Sequence, residues 1–326
     1  MINIQEKKQY LRKFQSLIAL FLLCVGISLF SDKFLTVTNA WNVMRQISVN
    51  ICISVGMTLV VLTAGIDLSV GSVLAFCGAV TAGLIKHGIE LPSANLYIEF
   101  TLTGGILAGV LIGAVLGWFN GWVITRFKVP PFVATLAMLT IARGLTMLWT
   151  NGFPITGLGS KFALMGTGWL LGIPVPVWIS LLVVVIAILL TGKTKLGRYI
   201  YAIGGNESAA RLSGIRINKV KMAVYAIAGC LAAVGGLIVT SRLDAAQPNA
   251  GTSYELDSIA AVVIGGTSLS GGRGSIAGTV LGAIIIGVLN NGLVLLNVSP
   301  FWQQVVKGGV ILLAVIIDKS GTKESQ

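Results

Sequence analysis

Charge is scarce in this sequence, and negative charge scarcer still. Only 10% of the 326 residues are charged, and 11 acids stand against 23 basic residues. A soluble domain carries nearer a quarter, so an ordinary soluble fold is excluded. Histidine is reduced to His87. The four cysteines, Cys24, Cys52, Cys77 and Cys230, sit inside apolar runs and none forms a CxxC. No metal-ligand spacing remains, and the thiols read as small buried hydrophobes. There is no Ser/His/Asp set, no HExxH and no close carboxylate pair in the apolar runs, so no catalytic residue is assigned. Long polar stretches are missing too. The longest, 193–221, covers 29 residues and is too short to fold alone, so 1–326 reads as a single domain.

What is present is grease. Hydrophobic residues make up 55% of the chain and mean hydropathy is +0.90. They gather into nine runs, at 14–30, 47–64, 69–85, 102–124, 132–149, 177–191, 222–241, 276–296 and 303–317, with a shorter tenth at 256–266. A helix crosses a bilayer with roughly 20 mainly apolar residues. The expectation is therefore an all-α polytopic membrane protein. The first run follows Lys7, Lys8, Arg12 and Lys13 without a small-residue cleavage site, and reads as an uncleaved span.

Positive charge favours the cytoplasmic side, and it decides the count. Ten spans with both termini cytoplasmic place sixteen of the 23 Lys and Arg inside, seven of them in 193–221. The net charge of +12 is thus an orientation signal in short loops, and nucleic acid is not an expected partner. The run at 256–266 is read as a short or re-entrant element.

Glycine recurs every fourth residue at Gly105, Gly109, Gly113, Gly117 and Gly121, a groove that lets helix backbones approach closely. The stretch GRGSIAG at 272–278 has the wrong spacing for a dinucleotide fingerprint. TGKT at 191–194 has Ala187 where a phosphate loop needs glycine, so the chain is read as binding no ATP and no other cofactor. Gly65–Gly71 (GIDLSVG) and Gly266–Gly272 (GTSLSGG) share GxxLSxG, which suggests paired helix breaks of the kind found along transport pathways. Polar groups in spans face a bundle interior or cavity. Asp67, Ser69, Asn120, Arg143, Asn290 and Asn291 are the candidates for a translocation path, with interhelical hydrogen bonding as the structural alternative.

The basic stretch at 201–221 contains a capped short helix. Gly204, Gly205 and Asn206 suit its entrance, with Asn206 as N-cap and Glu207 favoured by the helix dipole. Gly214 suits its stop. Ser208, Ala209, Ala210, Arg211 and Ser213 complete SAARLSG, a small-residue surface on which a partner's groove could close.

That stretch resembles the coupling loop of ABC importer permeases, Glu-Ala-Ala, three residues, then Gly, with Ser208 in the Glu position and Glu207 just before it. AGIDLSVGS (64–72), VPPFVATLAMLTIARGLTMLWTNG (129–152), LGRYIYAIGGNESAARLSGI (196–215), AAQPNAGTSYELDSIAAVVIGGTSLSGGRG (245–274) and LNNGL (289–293) extend the resemblance over nearly the whole chain. They are similar to the permeases of bacterial monosaccharide ABC importers, the ribose branch first, with arabinose, xylose, galactose, allose and autoinducer-2 relatives sharing much of the pattern. The resemblance implies an inner-membrane permease paired with a second copy. A cytoplasmic ABC ATPase would use ATP and Mg and dock on 193–221, at Gly205, Asn206, Glu207, Ser208, Ala209, Ala210, Arg211, Ser213 and Gly214. A periplasmic sugar-binding protein would dock outside, on 151–176 and 242–257. The partners implied are these proteins, the monosaccharide and membrane lipid. A self-sufficient ion-coupled carrier is the alternative from another class, with Asp67 as its one candidate coupling acid.

Overall fold

The computed structural model describes residues 4–91 and 96–323, with side chains over 16–90, 96–313 and 315–316. The side chains of Lys7, Lys8, Arg12, Lys13, Lys319 and Lys323, on which the orientation argument leans, lie outside those described. The chain is helical almost throughout. Its elements are α1 (Ile4–Phe30), α2 (Val37–Leu62), α3 (Val70–His87), α4 (Leu102–Phe127), α5 (Pro131–Thr150), α6 (Ser160–Thr167), α7 (Val175–Lys193), α8 (Lys195–Gly205), α9 (Glu207–Leu212), α10 (Ile217–Leu243), α11 (Tyr254–Ile264), α12 (Ile276–Leu295) and α13 (Pro300–Lys323). Seven of the described helices, α2, α3, α4, α5, α7, α10 and α12, are long and apolar enough to cross a membrane. The other three expected segments coincide with the apolar part of α1, Ser16–Phe30, with the short α11 and with α13, which are not among the seven.

Local chemistry sets many of the boundaries. Thr36, Thr101 and Ser275 each accept a hydrogen bond from the backbone N–H three residues on, and so start α2, α4 and α12. Proline opens α5 at Pro131 and lies in the first turn of α7 at Pro176. The helix α2 begins ten residues before the apolar run at 47–64. Its first half carries Asn39, Asn42, Arg45 and Gln46, which lower the hydropathy there without breaking the helix.

The centre of the bundle is α2, α3 and α10. Val49, Ile53, Met57, Val73, Leu74, Ala232 and Ile238 form its main core. In contrast, α4, α5 and α7 each bury only a stripe and turn large apolar side chains such as Leu107, Leu111, Leu145 and Leu181 outward, as a lipid-facing helix does. All five glycines of the α4 stripe are buried. Gly113, Gly117 and Gly121 lie on the α10 backbone, while Gly105 and Gly109 lie on α3. A Cβ on Gly117 would collide with the Tyr225 carbonyl, so α4 and α10 touch backbone to backbone.

Three small antiparallel pairs tie the loops opposite α8 and α9. They are β1 (Ile89–Leu91) with β2 (Leu96–Ile98), β3 (Ile155–Thr156) with β6 (Ala245–Ala246), and β4 (Trp169–Leu170) with β5 (Ile173–Pro174).

Candidate functional site

The segment between α7 and α10 is held by caps, hydrogen bonds and ion pairs. Thr194 caps α8 by accepting from Gly197 N at 3.1 Å. One face of α8, Gly197, Ile200 and Ile203, is buried, and the Tyr201 hydroxyl donates to the Gly274 carbonyl at 3.0 Å. Asn206 breaks the helix in an extended conformation, and its side chain accepts from Ala209 N at 2.9 Å, starting α9. The Glu207 carboxylate receives Lys221 at 2.7 Å and Arg211 at 3.2 Å. Lys221 first, and Arg211 after it, hold that carboxyl below its ordinary range. Gly214, at φ +80°, turns the chain into α10, a backbone conformation that costs glycine least.

Within α9 the two alanines divide. Ala210 is buried among Ile200, Ile203, Ile217 and Val220, so it anchors the helix to the bundle. Ser208, Ala209, Arg211, Leu212 and Ser213 face outward. Leu212 is 90% exposed, the most exposed large apolar side chain described. Sequence reasoning passed over it, because a leucine in a basic loop carries no mark of which way it points.

The second GxxLSxG stretch, and the chain just before the first, meet this segment. Gly272 N donates to the Leu62 carbonyl at 3.0 Å, and Gly204 is wedged between those two groups so closely that a Cβ there would collide with both. The break after α2 and the break before α12 therefore share a backbone junction with Gly204 near the end of α8, two residues before the α9 cap.

The six path candidates occupy four places. Asp67, Ser69 and Asn120 come together: one Asp67 carboxylate oxygen accepts from Ser69 N at 2.9 Å and Ser69 Oγ at 2.6 Å, and Asn120 Nδ2 donates to the same hydroxyl at 3.0 Å. All three are buried, a clasp that pins the break after α2 onto α4. Arg143 donates to the carbonyls of Pro248 and Ala250. Asn290 donates to Asp257 at 3.2 Å, and Asn291 exchanges hydrogen bonds with Asn39. Among the described residues no side-chain hydrogen bond joins one of these four places to another.

The three acids of 242–257 all meet groups within the chain, and of them Asp244 stays exposed. Asp257 is 4% exposed and bonded to Lys307 at 3.0 Å. Asp244 accepts from Leu158 N at 2.9 Å, tying the two loops to each other. The Glu255 carboxylate packs against Gly71.

A bundle of apolar helices broken at its centre, with a polar segment braced against the breaks, defines a multi-pass transport protein of the permease class. The chain belongs to the family described as branched-chain amino acid transport system / permease component, which matches residues 39–315. As a permease component of the inner membrane it is a transport subunit. It is 50% identical to the ribose import permease of Haemophilus influenzae over 97% of this chain and 96% of that one. It is 52% identical to the ribose import permease of Bacillus subtilis over 95% and 93%. The D-allose transport system permease of Escherichia coli is 39% identical over 92% and 90%. No solved structure gave a significant match.

Proposed function

We propose that this chain is the membrane permease of an ATP-driven ribose importer, with both termini cytoplasmic and two copies forming the passage. The observation that carries the reading is the likeness to ribose permeases, at 50–52% identity over nearly the full length, against 39% for the allose permease. A cytoplasmic ATPase would dock on α9, with Leu212 and Ala209 entering its groove and Ser208, Arg211 and Ser213 around them. Gly205, Asn206, Glu207 and Gly214 would set the helix's pose, and Ala210 would hold it to the bundle. ATP and Mg would be bound by that partner. A push on α8 would reach Leu62 and Gly272 together through Gly204, and so act on both helix breaks at once. A periplasmic binding protein would carry most of the sugar selectivity, which suits a path with few free polar groups.

The test is uptake of labelled ribose into proteoliposomes containing this chain, with the ATPase, the binding protein and internal ATP added or withheld singly. Uptake only with all of them, competed by ribose before allose, is expected. Uptake by the chain alone under an ion gradient would replace the proposal with an ion-coupled carrier.

A further inference from the structure

A cleft of about 440 Å³ lies between α1, α2, α7 and α12. Its wall is built from Cys24, Val43, Ile47, Ile51, Ile284 and Val288, and Leu35, Ala40 and Met44 stand exposed along its open side. The polar groups that line it are already engaged. Asn39 bonds to Phe34 and Asn291, Ser48 donates to the Met44 carbonyl, and Ser180 donates to the Val177 carbonyl. What remains is the acceptor lone pairs of the Ser48 and Ser180 hydroxyls, too few groups to hold a sugar or a file of water.

Dimensions decide the occupant. Along α2 the cleft runs from Asn39 to Ile51, about 18 Å at 1.5 Å per residue. One leaflet offers roughly 15 Å of hydrocarbon. At about 30 Å³ for a water-sized group, the volume takes about fifteen chain carbons. A helix about 10 Å across would need roughly three times that volume to lie inside over the same length, so what the cleft can enclose is a single chain.

Next in the chain to the cleft's residues on α2 stand groups typical of a membrane–water boundary. Trp41 and Trp169 pack edge to face at 5.3 Å, and the Arg45 guanidinium lies 4.8 Å over the Trp169 ring. Tryptophan and long basic side chains gather at that depth. Arg45 follows Met44 in the chain, and exposed Lys33 precedes Phe34 and Leu35 at the upper end, with Asp32 beside it.

We propose that this cleft binds one acyl chain of a phospholipid from the leaflet on the side of the α1–α2 turn, with the lipid phosphate near Lys33 and Arg45. The chain of a bulk lipid finds no hydrophobic gain in leaving other lipids. Retention comes from the close fit of Val43, Ile47, Ile284 and Val288 around it and from the charge of Lys33 and Arg45. The site stands apart from the transport reading.

The full chain would be placed in nanodiscs doped with phosphatidylglycerol bearing a diazirine midway along one acyl chain. After illumination, labelled peptides would be mapped by mass. Labelling at Cys24, Val43 and Ile47 is expected to exceed that at the lipid-facing Leu107 and Leu111 of α4 by about tenfold, the ratio that 1.4 kcal/mol of preference gives. Ala40→Trp, or Met44→Trp should the first not fold, is expected to remove the excess and leave α4 labelling unchanged. Cleft labelling equal to that of α4, or below it because a second copy covers the cleft, would overturn the proposal.

Discussion

Arg143 Nη1 stands 2.6 Å from the Pro248 carbonyl oxygen and 2.9 Å from that of Ala250. The two carbonyls belong to the irregular segment between β6 and α11, which dips from the strand pair at Ala245–Ala246 to reach Gly71 at the start of α3. Irregular backbone at membrane depth persists only where protein satisfies it. Arg143, about 18 Å along α5 from Pro131 at 1.5 Å per residue, provides that partner. Arg143→Ala would leave two carbonyls unpaired, at about 1–3 kcal/mol each. A clear fall in the thermal unfolding midpoint, followed by tryptophan fluorescence in nanodiscs, is expected, with partial recovery in Arg143→Lys. Unchanged melting of the alanine variant would show that these carbonyls find other partners.

Contact between α4 and α10 yields a sharper contrast. Gly117→Ala places a methyl group in the Tyr225 carbonyl, and forcing α4 away costs about 1–3 kcal/mol by the usual penalty for overpacking. Gly144 has nothing within 4 Å of an added Cβ, and Gly144→Ala is expected to be neutral or slightly stabilising through helix propensity. Equal effects of the two substitutions on the unfolding midpoint would contradict the backbone contact.

Features that depend on local spacing were legible before the fold was known. The α4 groove, the Asn206 cap, the Gly214 turn and the shortness of α11 follow from neighbours a few residues apart. Features that depend on distant partners were not. Arg143 was visible as a charge in a span, but its partners lie 105 and 107 residues on, and are backbone groups that any residue could supply. Likewise Asp257 shows in the sequence only as an acid at the start of the short run at 256–266, and only the packing of α13 shows Lys307 reaching it. The burial of Ala210 and the exposure of its neighbour Ala209 depend on how α9 lies on Ile217 and Val220, which a six-residue helix is too short to reveal by periodicity.

The Asp257–Lys307 pair makes its own prediction. Lys307→Met removes the cation and leaves a carboxylate that is 4% exposed. Breaking a buried pair on one side costs about 3–5 kcal/mol, while replacing both sides with apolar groups is often neutral. Lys307→Met is therefore expected to destabilise strongly, and Lys307→Met with Asp257→Leu to recover most of the loss. A double variant no better than the single one would mean that Asp257 acts chiefly through its hydrogen bond with Asn290.

Acid should loosen the α9 segment. The lysine and arginine beside Glu207 hold its carboxyl below the ordinary glutamate value, so the pairing stabilises the folded segment above that value, about 4.3. The contribution is lost as pH falls through the lower folded-state value. Hydrogen exchange at 207–214, corrected for intrinsic rates, is expected to stay protected at neutral pH and to rise as the carboxyl protonates. Glu207→Gln should be less protected at neutral pH and respond less to acid. Identical pH profiles for the two proteins would remove Glu207 from the account.

Leu212 offers the cleanest probe of docking, because its side chain supports so little of its own fold. A surface substitution away from packed groups changes stability by about 0.5 kcal/mol or less, so Leu212→Asp should leave the melting curve and the α9 cap intact. An apolar anchor at the centre of an interface is commonly worth about 2 kcal/mol or more, close to a thirtyfold loss of affinity. Leu212→Asp is accordingly expected to release the ATPase from the permease and abolish ATP-driven uptake, with Leu212→Met retaining both. Ala210→Trp would be a poor substitute, since it forces a large ring among Ile200, Ile203 and Val220 and alters the bundle as well as the surface. Normal ATPase binding by Leu212→Asp would mean that this exposed leucine is not the anchor, and would move attention to Ala209 and Arg211 on the same face.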